Sequence, residues 1–194
     1  NNLLKLAKEI SEDRQNFAKV LSVLVQEKLE RLELPKARFE ISIQPKDLSG
    51  DGIDNVEFLI STNISEDLKP LAKVASGGEI SRVMLAIKSI FAESDDIDTV
   101  IFDEIDTGIS GKASQSVADE ILELSKFHQI ILITHQAIIA SKADKHFYVR
   151  KSQNDETKVE VYVLTGDNRV KALAELAGGE INEQSIEFAK SLIG

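Results

Sequence analysis

Cysteine is absent from this chain of 194 residues. Without it there is no disulfide framework, no thiolate nucleophile and no cysteine-bound zinc. No apolar run approaches the roughly 18 residues that cross a bilayer, and the start, residues 1–5, lacks the basic-then-apolar layout of a signal peptide. These absences predict a cytoplasmic protein that does not enter a membrane.

A surplus of positive charge is also missing. Lys and Arg number 23 against 33 Asp and Glu, which gives a formal net charge of −10. Any contact with DNA must therefore be local, or made by parts outside this chain. Basic clusters of this kind are more often solvated faces than binding sites. The two local candidates are Lys69, Lys73 and Arg82, and Lys142, Lys145, Arg150 and Lys151.

An initiator methionine and a P-loop are missing as well. The chain begins with Asn1, which predicts a piece of a longer protein. The P-loop pattern Gly-x-x-x-x-Gly-Lys-Ser/Thr does not occur. At the only Gly-Lys pair, Gly111-Lys112, Asp106 stands where the first glycine should be and Ala113 follows the lysine. The sequence therefore supplies no phosphate-binding loop of that type.

A long helix is predicted at the start of the chain. Residues 3–34 contain neither glycine nor proline, and Pro35 should end the helix. Apolar residues follow the 3-then-4 spacing of a coiled-coil seam. This predicts that residues 1–34 are the end of a coiled coil that joins a head at residues 35–194; an amphipathic helix lying on its own domain is the alternative. The seam consists of Leu3, Leu6, Ile10, Phe17, Val20 and Leu24.

The rest of the pattern predicts an α/β fold. Continuous apolar strands at 99–102 and 130–134 are joined by a helix at 114–127, which is typical of a parallel sheet covered on both faces. Alternating segments predict small antiparallel hairpins on either side of it. The hairpin strands are expected at 37–43 with 56–60 and at 146–150 with 158–164, and two helices at 170–176 and 183–193 complete the chain.

Two adjacent carboxylates, Asp103 and Glu104, follow the first apolar strand. Ligands of open α/β folds bind at the carboxyl ends of the strands. One carboxylate can hold Mg²⁺ while the other polarises an attacking water. A strand end carrying two solvated acids explains the pair as well.

A glycine pair opens the helix that precedes this strand. Ser76-Gly77-Gly78-Glu79 lets backbone N–H groups approach an anion at a helix N-terminus. The same residues also fit a capping box, with Ser76 as N-cap and Glu79 three residues later. A third candidate, His135, follows the second apolar strand and reaches the same sheet edge if the two strands are neighbours.

The order and spacing of these three motifs resemble the C-terminal half of an ABC-type ATPase head. Residues 71–86 and 101–111 are similar in detail to the RecN family of SMC-like DNA-repair ATPases. The resemblance implies the C-terminal lobe of an ABC/SMC-type P-loop ATPase head, with ATP and Mg²⁺ as ligands. It also implies action in DNA double-strand break repair and recombination, and a nucleoid-associated cytoplasmic location.

The resemblance implies a role for each motif. Asp103 would support Mg²⁺, Glu104 would be the general base and His135 would sense the γ-phosphate. Asp106, Thr107, Gly108 and Ser110 would occupy the D-loop, where Ser110 replaces the usual acid. The signature residues would contact the γ-phosphate of ATP bound to an opposite head. They are Ser76, Gly77, Gly78 and Glu79.

The implied partners are an N-terminal half that carries the P-loop, a second head in an ATP-sandwiched dimer, and DNA, with double-stranded ends favoured. The isolated chain is expected to be inactive, because the P-loop is absent. Two alternatives stay open. One is a non-catalytic dimerisation or association module; the other is a metal-dependent phosphodiesterase that uses Asp103, Glu104 and Asp106.

Overall fold

The computed structural model describes residues 2–74, 77–153 and 157–193. None of the helices in these ranges combines the length and the apolar character needed to cross a bilayer. The elements are α1 (Asn2–Arg31), β1 (Arg38–Ser49), β2 (Gly52–Ser61), β3 (Lys69–Pro70), a 3₁₀ turn (Leu71–Lys73), α2 (Gly78–Phe91), β4 (Thr99–Phe102), α3 (Lys112–Leu124), β5 (Gln129–Leu132), α4 (Ala137–Ala140), β6 (His146–Gln153), β7 (Thr157–Leu164), α5 (Gly166–Gly178) and α6 (Glu183–Ile193).

The strands form three small sheets. β1, β2 and β3 are antiparallel, β4 and β5 are parallel, and β6 and β7 form an antiparallel hairpin. This is the predicted α/β class with small antiparallel hairpins, and within the described residues the parallel part has two strands. Hairpins close locally, whereas each parallel pair needs a crossover. In the described residues one crossover, through α3, joins parallel strands.

Helix α1 has two apolar faces. One is buried against β1, β2 and α2. The other carries the predicted seam, which is exposed, with Leu3 at 73% and Phe17 at 55% relative accessibility. At 3.6 residues per turn the two faces are roughly 100° apart. The buried positions are Ala7, Ser11, Ala18, Leu21, Val25 and Leu29.

The end of α1 differs from the prediction. The helix stops at Arg31, four residues before Pro35. Glu33 has a φ of 59°, in the left-handed region, and the Leu34 N–H donates to the Leu29 carbonyl oxygen at 2.9 Å. A left-handed residue reverses the chain at a helix end. The turn, and not the proline, therefore ends α1.

The first hairpin is longer than its sequence pattern indicates. β1 runs to Ser49 and β2 begins at Gly52, so most of the segment 45–54, expected to be a turn, is strand. Pro45 lies where the register shifts, between Pro45 and Ser49. Proline lacks a backbone donor and is tolerated at such a bulge. The hairpin therefore reaches far enough along α1 to contact its middle turns.

A buried ionic cluster fastens this hairpin to α1. The Asp54 carboxylate accepts hydrogen bonds from the Ser11 hydroxyl at 2.7 Å and from Arg14 Nη1 at 3.2 Å. The Asp54 side chain is 5% exposed and that of Arg14 33%. Arg14 also donates to the Asp51 carbonyl oxygen at 2.8 Å. Removing one member of a buried pair leaves the other uncompensated, so this cluster fixes where the hairpin lies along α1.

The main core lies where α1, the first hairpin, α2, α3 and the β4–β5 pair meet. Val25, Leu29, Val83, Leu85 and Val117 are all fully buried there. A second, smaller core joins α4, α5 and α6 around Leu173 and Ala189. The β4–β5 pair is thus packed on one face only, and its carboxyl ends are left at the surface.

Replacing Asp54 with Ala should destabilise the chain by about 2 kcal/mol, because Arg14 and Ser11 lose their buried acceptor. Thermal or urea unfolding measures the loss. Asp51→Asn is the matched control: Asp51 is exposed, and its pKa of about 2 reflects hydrogen bonds from Lys46 and Ser49 on the same turn. Equal stability of the two variants would contradict the structural role assigned to the cluster.

Candidate functional site

The carboxyl ends of β4 and β5 lie side by side. Phe102 pairs with Leu132, and the Ile133 N–H donates to the Phe102 carbonyl oxygen at 3.0 Å. Asp103 directly follows β4, and His135 follows β5 after two residues. The acid pair and the histidine singled out from the sequence therefore lie at one edge of the parallel pair.

Asp103 and Glu104 form an exposed turn at this edge. Glu104 has a φ of 58°, an uncommon conformation for a residue with a side chain and one that concentrates at functional sites. Ser81 Oγ donates to the Asp103 carbonyl oxygen at 3.0 Å, and the Thr107 N–H donates to the Glu104 carbonyl oxygen at 3.1 Å. The backbone of the acid pair is thus held from both sides while the carboxylates face solvent.

The oxygen donors available to Mg²⁺ at this edge are few. The described residues contain no group of three or more side chains placed to bind a metal. Mg²⁺ commonly uses one or two carboxylates and completes its shell with water and substrate phosphates. The exposed Asp103 carboxylate is an oxygen donor of the kind that such an ion uses.

Helix α2 begins one residue later than a capping box requires. Gly77 occupies the N-cap position, Gly78 is the first helical residue, and no side chain caps the helix. Ser76 lies outside the described residues. Among the described residues no side chain accepts from the backbone N–H groups at the start of α2, which is the kind of helix N-terminus that can bind an anion.

Gly78 presses against the loop that carries the acids. A Cβ atom at residue 78 would lie 2.6 Å from the Thr107 carbonyl oxygen and 2.9 Å from that of Glu104. No real Cβ tolerates such distances to backbone, so only glycine allows this approach. The first turn of α2 and the segment 103–107 consequently behave as one packed unit.

Arg82 joins the same two elements. The residue is 4% exposed, and its Nη1 donates to the carbonyl oxygens of Ile105 at 3.1 Å and Thr107 at 3.2 Å. Burial lowers the pKa of Arg82 from its usual value, against a raising effect of Glu79. Arg82 is therefore wrong as a DNA-contact candidate. Its burial was not visible in the sequence, where it reads as one more basic residue near the signature.

Asp106 also lies inside the protein and not on an exposed loop. It is 2% exposed, and its Oδ2 accepts hydrogen bonds from Thr134 Oγ1 at 2.5 Å and from the His135 N–H at 2.8 Å. Thr107, Gly108 and Ser110 are exposed, as a surface loop requires. The predicted D-loop therefore divides into one buried anchor and a short exposed arch.

The surface of the described residues includes two hollows of different size. The smaller, of about 260 Å³, lies between α2 and β4 and is lined in part by Gly77, Ser81, Met84, Ile101 and Asp103. The larger, of about 570 Å³, lies between the end of α1 and the start of α3 and contains none of the predicted site residues. The chemistry singled out from the sequence is therefore associated with the smaller hollow.

The fold is that of an SMC head domain, the class of ABC-type ATPase head that the motifs resemble. It aligns with a head of Pyrococcus yayanosii Smc at a TM-score of 0.59 over 87% of this chain and 32% of that one. A Pyrococcus furiosus Smc head bound to the C-terminal domain of ScpA gives 0.55 over 89% and 41%. Both are 24% identical in sequence, which establishes the fold alone.

Sequence similarity is closer to RecN. The chain is 40% identical to DNA repair protein RecN of Halalkalibacterium halodurans over 93% of its length and 39% identical to that of Bacillus subtilis over 96%. It is 38% identical to RecN of Treponema pallidum over 98%. The chain is similar to RecN over nearly its whole length, and it spans about a third of the length of these relatives, 33% to 36%. No protein-family profile matches it.

Gly78→Ala should destabilise the chain by about 1 to 3 kcal/mol, because the new methyl group meets two carbonyl oxygens. Gly77→Ala is the matched control, since a Cβ there meets nothing within 4 Å and φ is extended at 167°. Thermal unfolding of the two variants measures the difference. A melting temperature for Gly78→Ala equal to that of Gly77→Ala would contradict the close approach.

Proposed function

We propose that this chain is the C-terminal half of an SMC-like ATPase head that acts in DNA double-strand break repair and recombination. The observation that carries the proposal is the packing of the signature helix start, at Gly78, onto the loop of Asp103 and Glu104. His135 lies at the neighbouring strand end. The RecN relatives, named as DNA repair proteins, support the repair role.

In this proposal Glu104 takes a proton from water as the water oxygen attacks the γ-phosphorus of ATP. The bond from phosphorus to the bridging oxygen breaks, and ADP and inorganic phosphate leave. Asp103 would hold Mg²⁺, which would supply positive charge to stabilise the negative charge on the phosphates. His135 contacts the γ-phosphate, and the helix start at Gly77 and Gly78 binds the nucleotide of an opposite head.

The P-loop has to come from an N-terminal half, and the surface of the chain supports such a partner. Parallel sheets are usually covered on both faces, yet one face of the β4–β5 pair is open, with Ile101 at 65% and Ile133 at 57% relative accessibility. The β6–β7 hairpin exposes an apolar face as well. Its members are Phe147, Val149, Val159, Val161 and Val163.

A second head and DNA are the remaining proposed partners. A solved structure from work on ATP-driven dimerization and DNA-stimulated activation of SMC ATPases aligns at a TM-score of 0.51 over 89% of this chain and 98% of that one. Its dimerization supports a sandwich in which the signature helix meets ATP from the other head. The exposed seam of α1 supports a coiled-coil partner over residues 2–24.

The association module stays as a second candidate, because both the α1 seam and the open sheet faces are surfaces for another protein. The phosphodiesterase alternative needs Asp106 as a third acid at the surface. Asp106 is buried and already accepts hydrogen bonds from Thr134 and His135, so it is not available to a surface metal site.

ATP turnover should appear only when this chain is mixed with a separately made N-terminal half that carries the P-loop. Glu104→Gln should lower the turnover rate by roughly 100-fold or more, because the general base is lost. ATP binding should be retained, because the contacts that do not depend on the carboxylate charge remain. A phosphate-release assay and a nucleotide-binding assay on the same complex measure the two quantities. A complex with unchanged turnover in Glu104→Gln favours the association module.

The chain alone should self-associate through its open apolar faces, and the N-terminal half should suppress this. Light scattering measures the effect. Ile133→Glu should reduce self-association by way of the sheet and Phe17→Glu by way of the α1 seam, so the pair identifies the surface used. A monodisperse monomer at all concentrations would count against both faces being interfaces.

A further inference from the structure

Asp106 is the most deeply buried carboxylate near the candidate site, at 2% exposure. It lies in the turn after the acid pair, 28 residues before Thr134 in sequence. Its Oδ2 accepts from Thr134 Oγ1 and from the His135 N–H, and the same oxygen lies 3.1 Å from His135 Nδ1. Three polar atoms of two consecutive residues thus converge on one oxygen.

The contact with the imidazole fixes its proton. An ionised carboxylate can only accept hydrogen bonds. Asp106 Oδ2 already accepts two, from Thr134 Oγ1 and from the His135 N–H. If Nδ1 carried no proton, its lone pair would face that oxygen at 3.1 Å, which is repulsive. The Nδ1–H form instead turns a polar hydrogen toward the carboxylate oxygen, which is attractive at the same distance.

The outer side of the ring is left free. The His135 side chain is 67% exposed, and its Nε2 has only a 3.5 Å contact with the amide nitrogen of Gln136. That amide nitrogen donates to the Ile109 carbonyl oxygen at 3.1 Å. Nε2 is therefore the ring atom available to a ligand at the sheet edge.

The backbone before the ring is fixed by the same carboxylate. Thr134 Oγ1 donates to Asp106 and accepts the Gln136 N–H at 3.0 Å. The segment 134–136 is therefore held both at the hydroxyl and at the His135 N–H. Because Asp106 belongs to the loop that begins with Asp103 and Glu104, any shift of that loop also moves the histidine.

We propose that Asp106 is the positioning residue of His135: its buried carboxylate holds the ring as the Nδ1–H tautomer and presents Nε2 to the nucleotide. This deepens the proposed function and depends on it for the identity of the ligand. It also replaces the D-loop contact that the sequence resemblance implies for Asp106. At metal sites, removing the residue that hydrogen-bonds the second ring nitrogen of a ligand histidine typically lowers metal affinity or activity by 10- to 100-fold.

The tautomer of His135 in the full chain is the first test, and it needs no catalysis. Nitrogen-15 labelled histidine distinguishes Nδ1–H from Nε2–H at pH 8.5, well above the ordinary histidine pKa of about 6.5. His135→Gln assigns its signal among the three histidines. We expect Nδ1–H in the wild-type chain, and an Nε2–H signal there would overturn the proposal.

Variants separate positioning from stability. Asp106→Ala should move His135 toward Nε2–H, whereas Thr134→Val, which removes a donor to the same oxygen but leaves the ring contact, should keep Nδ1–H. Asp106→Asn retains an acceptor oxygen and should rescue the tautomer in part. A folded Asp106→Ala chain that keeps the wild-type tautomer would overturn the proposal; if that variant does not fold, the wild-type and Thr134→Val tautomers still decide.

Turnover in the complex with the N-terminal half is the second test. Asp106→Ala should lower kcat by at least about tenfold with less than a threefold change in KM. Combined with His135→Gln it should cost no more than His135→Gln alone, since one residue acts through the other. Additive losses would overturn the proposal. Failure of wild-type turnover would contradict the proposed function only, since the tautomer is measured without it.

Discussion

The approach of α2 to the segment 103–107 is the contact on which the rest of the site depends. It requires glycine at residue 78, where a Cβ would lie 2.6 Å from a carbonyl oxygen, and it is reinforced by the buried Arg82 guanidinium. At Gly78 the helix meets the loop backbone with no side chain between them. The contacts from α2 reach the loop through its backbone oxygens. The Asp103 and Glu104 carboxylates therefore do not hold the loop in place, and they are exposed to solvent.

Two carbonyl oxygens and one carboxylate connect three motifs that are far apart in sequence. Arg82 joins the signature helix to the loop, and Asp106 joins that loop to the end of β5. Buried polar networks of this kind are costly when one member is missing, because the others lose their partners. The three motifs are therefore connected by hydrogen bonds between the chain's own residues.

The sequence was informative where a repeating pattern determines structure. The apolar runs of β4 and β5 and the alternation of the last hairpin predicted real strands. The α1 seam was predicted from its spacing, but the helix packs through a second, equally regular face, whose first members Ala7, Ser11 and Ala18 are small or polar and so give a weaker apolar signal. The burial of Arg82 and Asp106 depends on contacts across more than 20 residues. No local pattern carries that information.

The exposed apolar surfaces lie outside the core that positions the motifs. The main core is complete on one side of the β4–β5 pair, so the motifs are positioned without help. The other side has exposed isoleucines, and the last hairpin has an exposed apolar face; neither contributes to holding the motifs. A partner that covered these faces would gain apolar burial without rearranging the acid pair or His135. Under the proposed function, nucleotide binding and catalytic geometry come from separate halves of one head, which is consistent with a sequence that lacks the P-loop pattern.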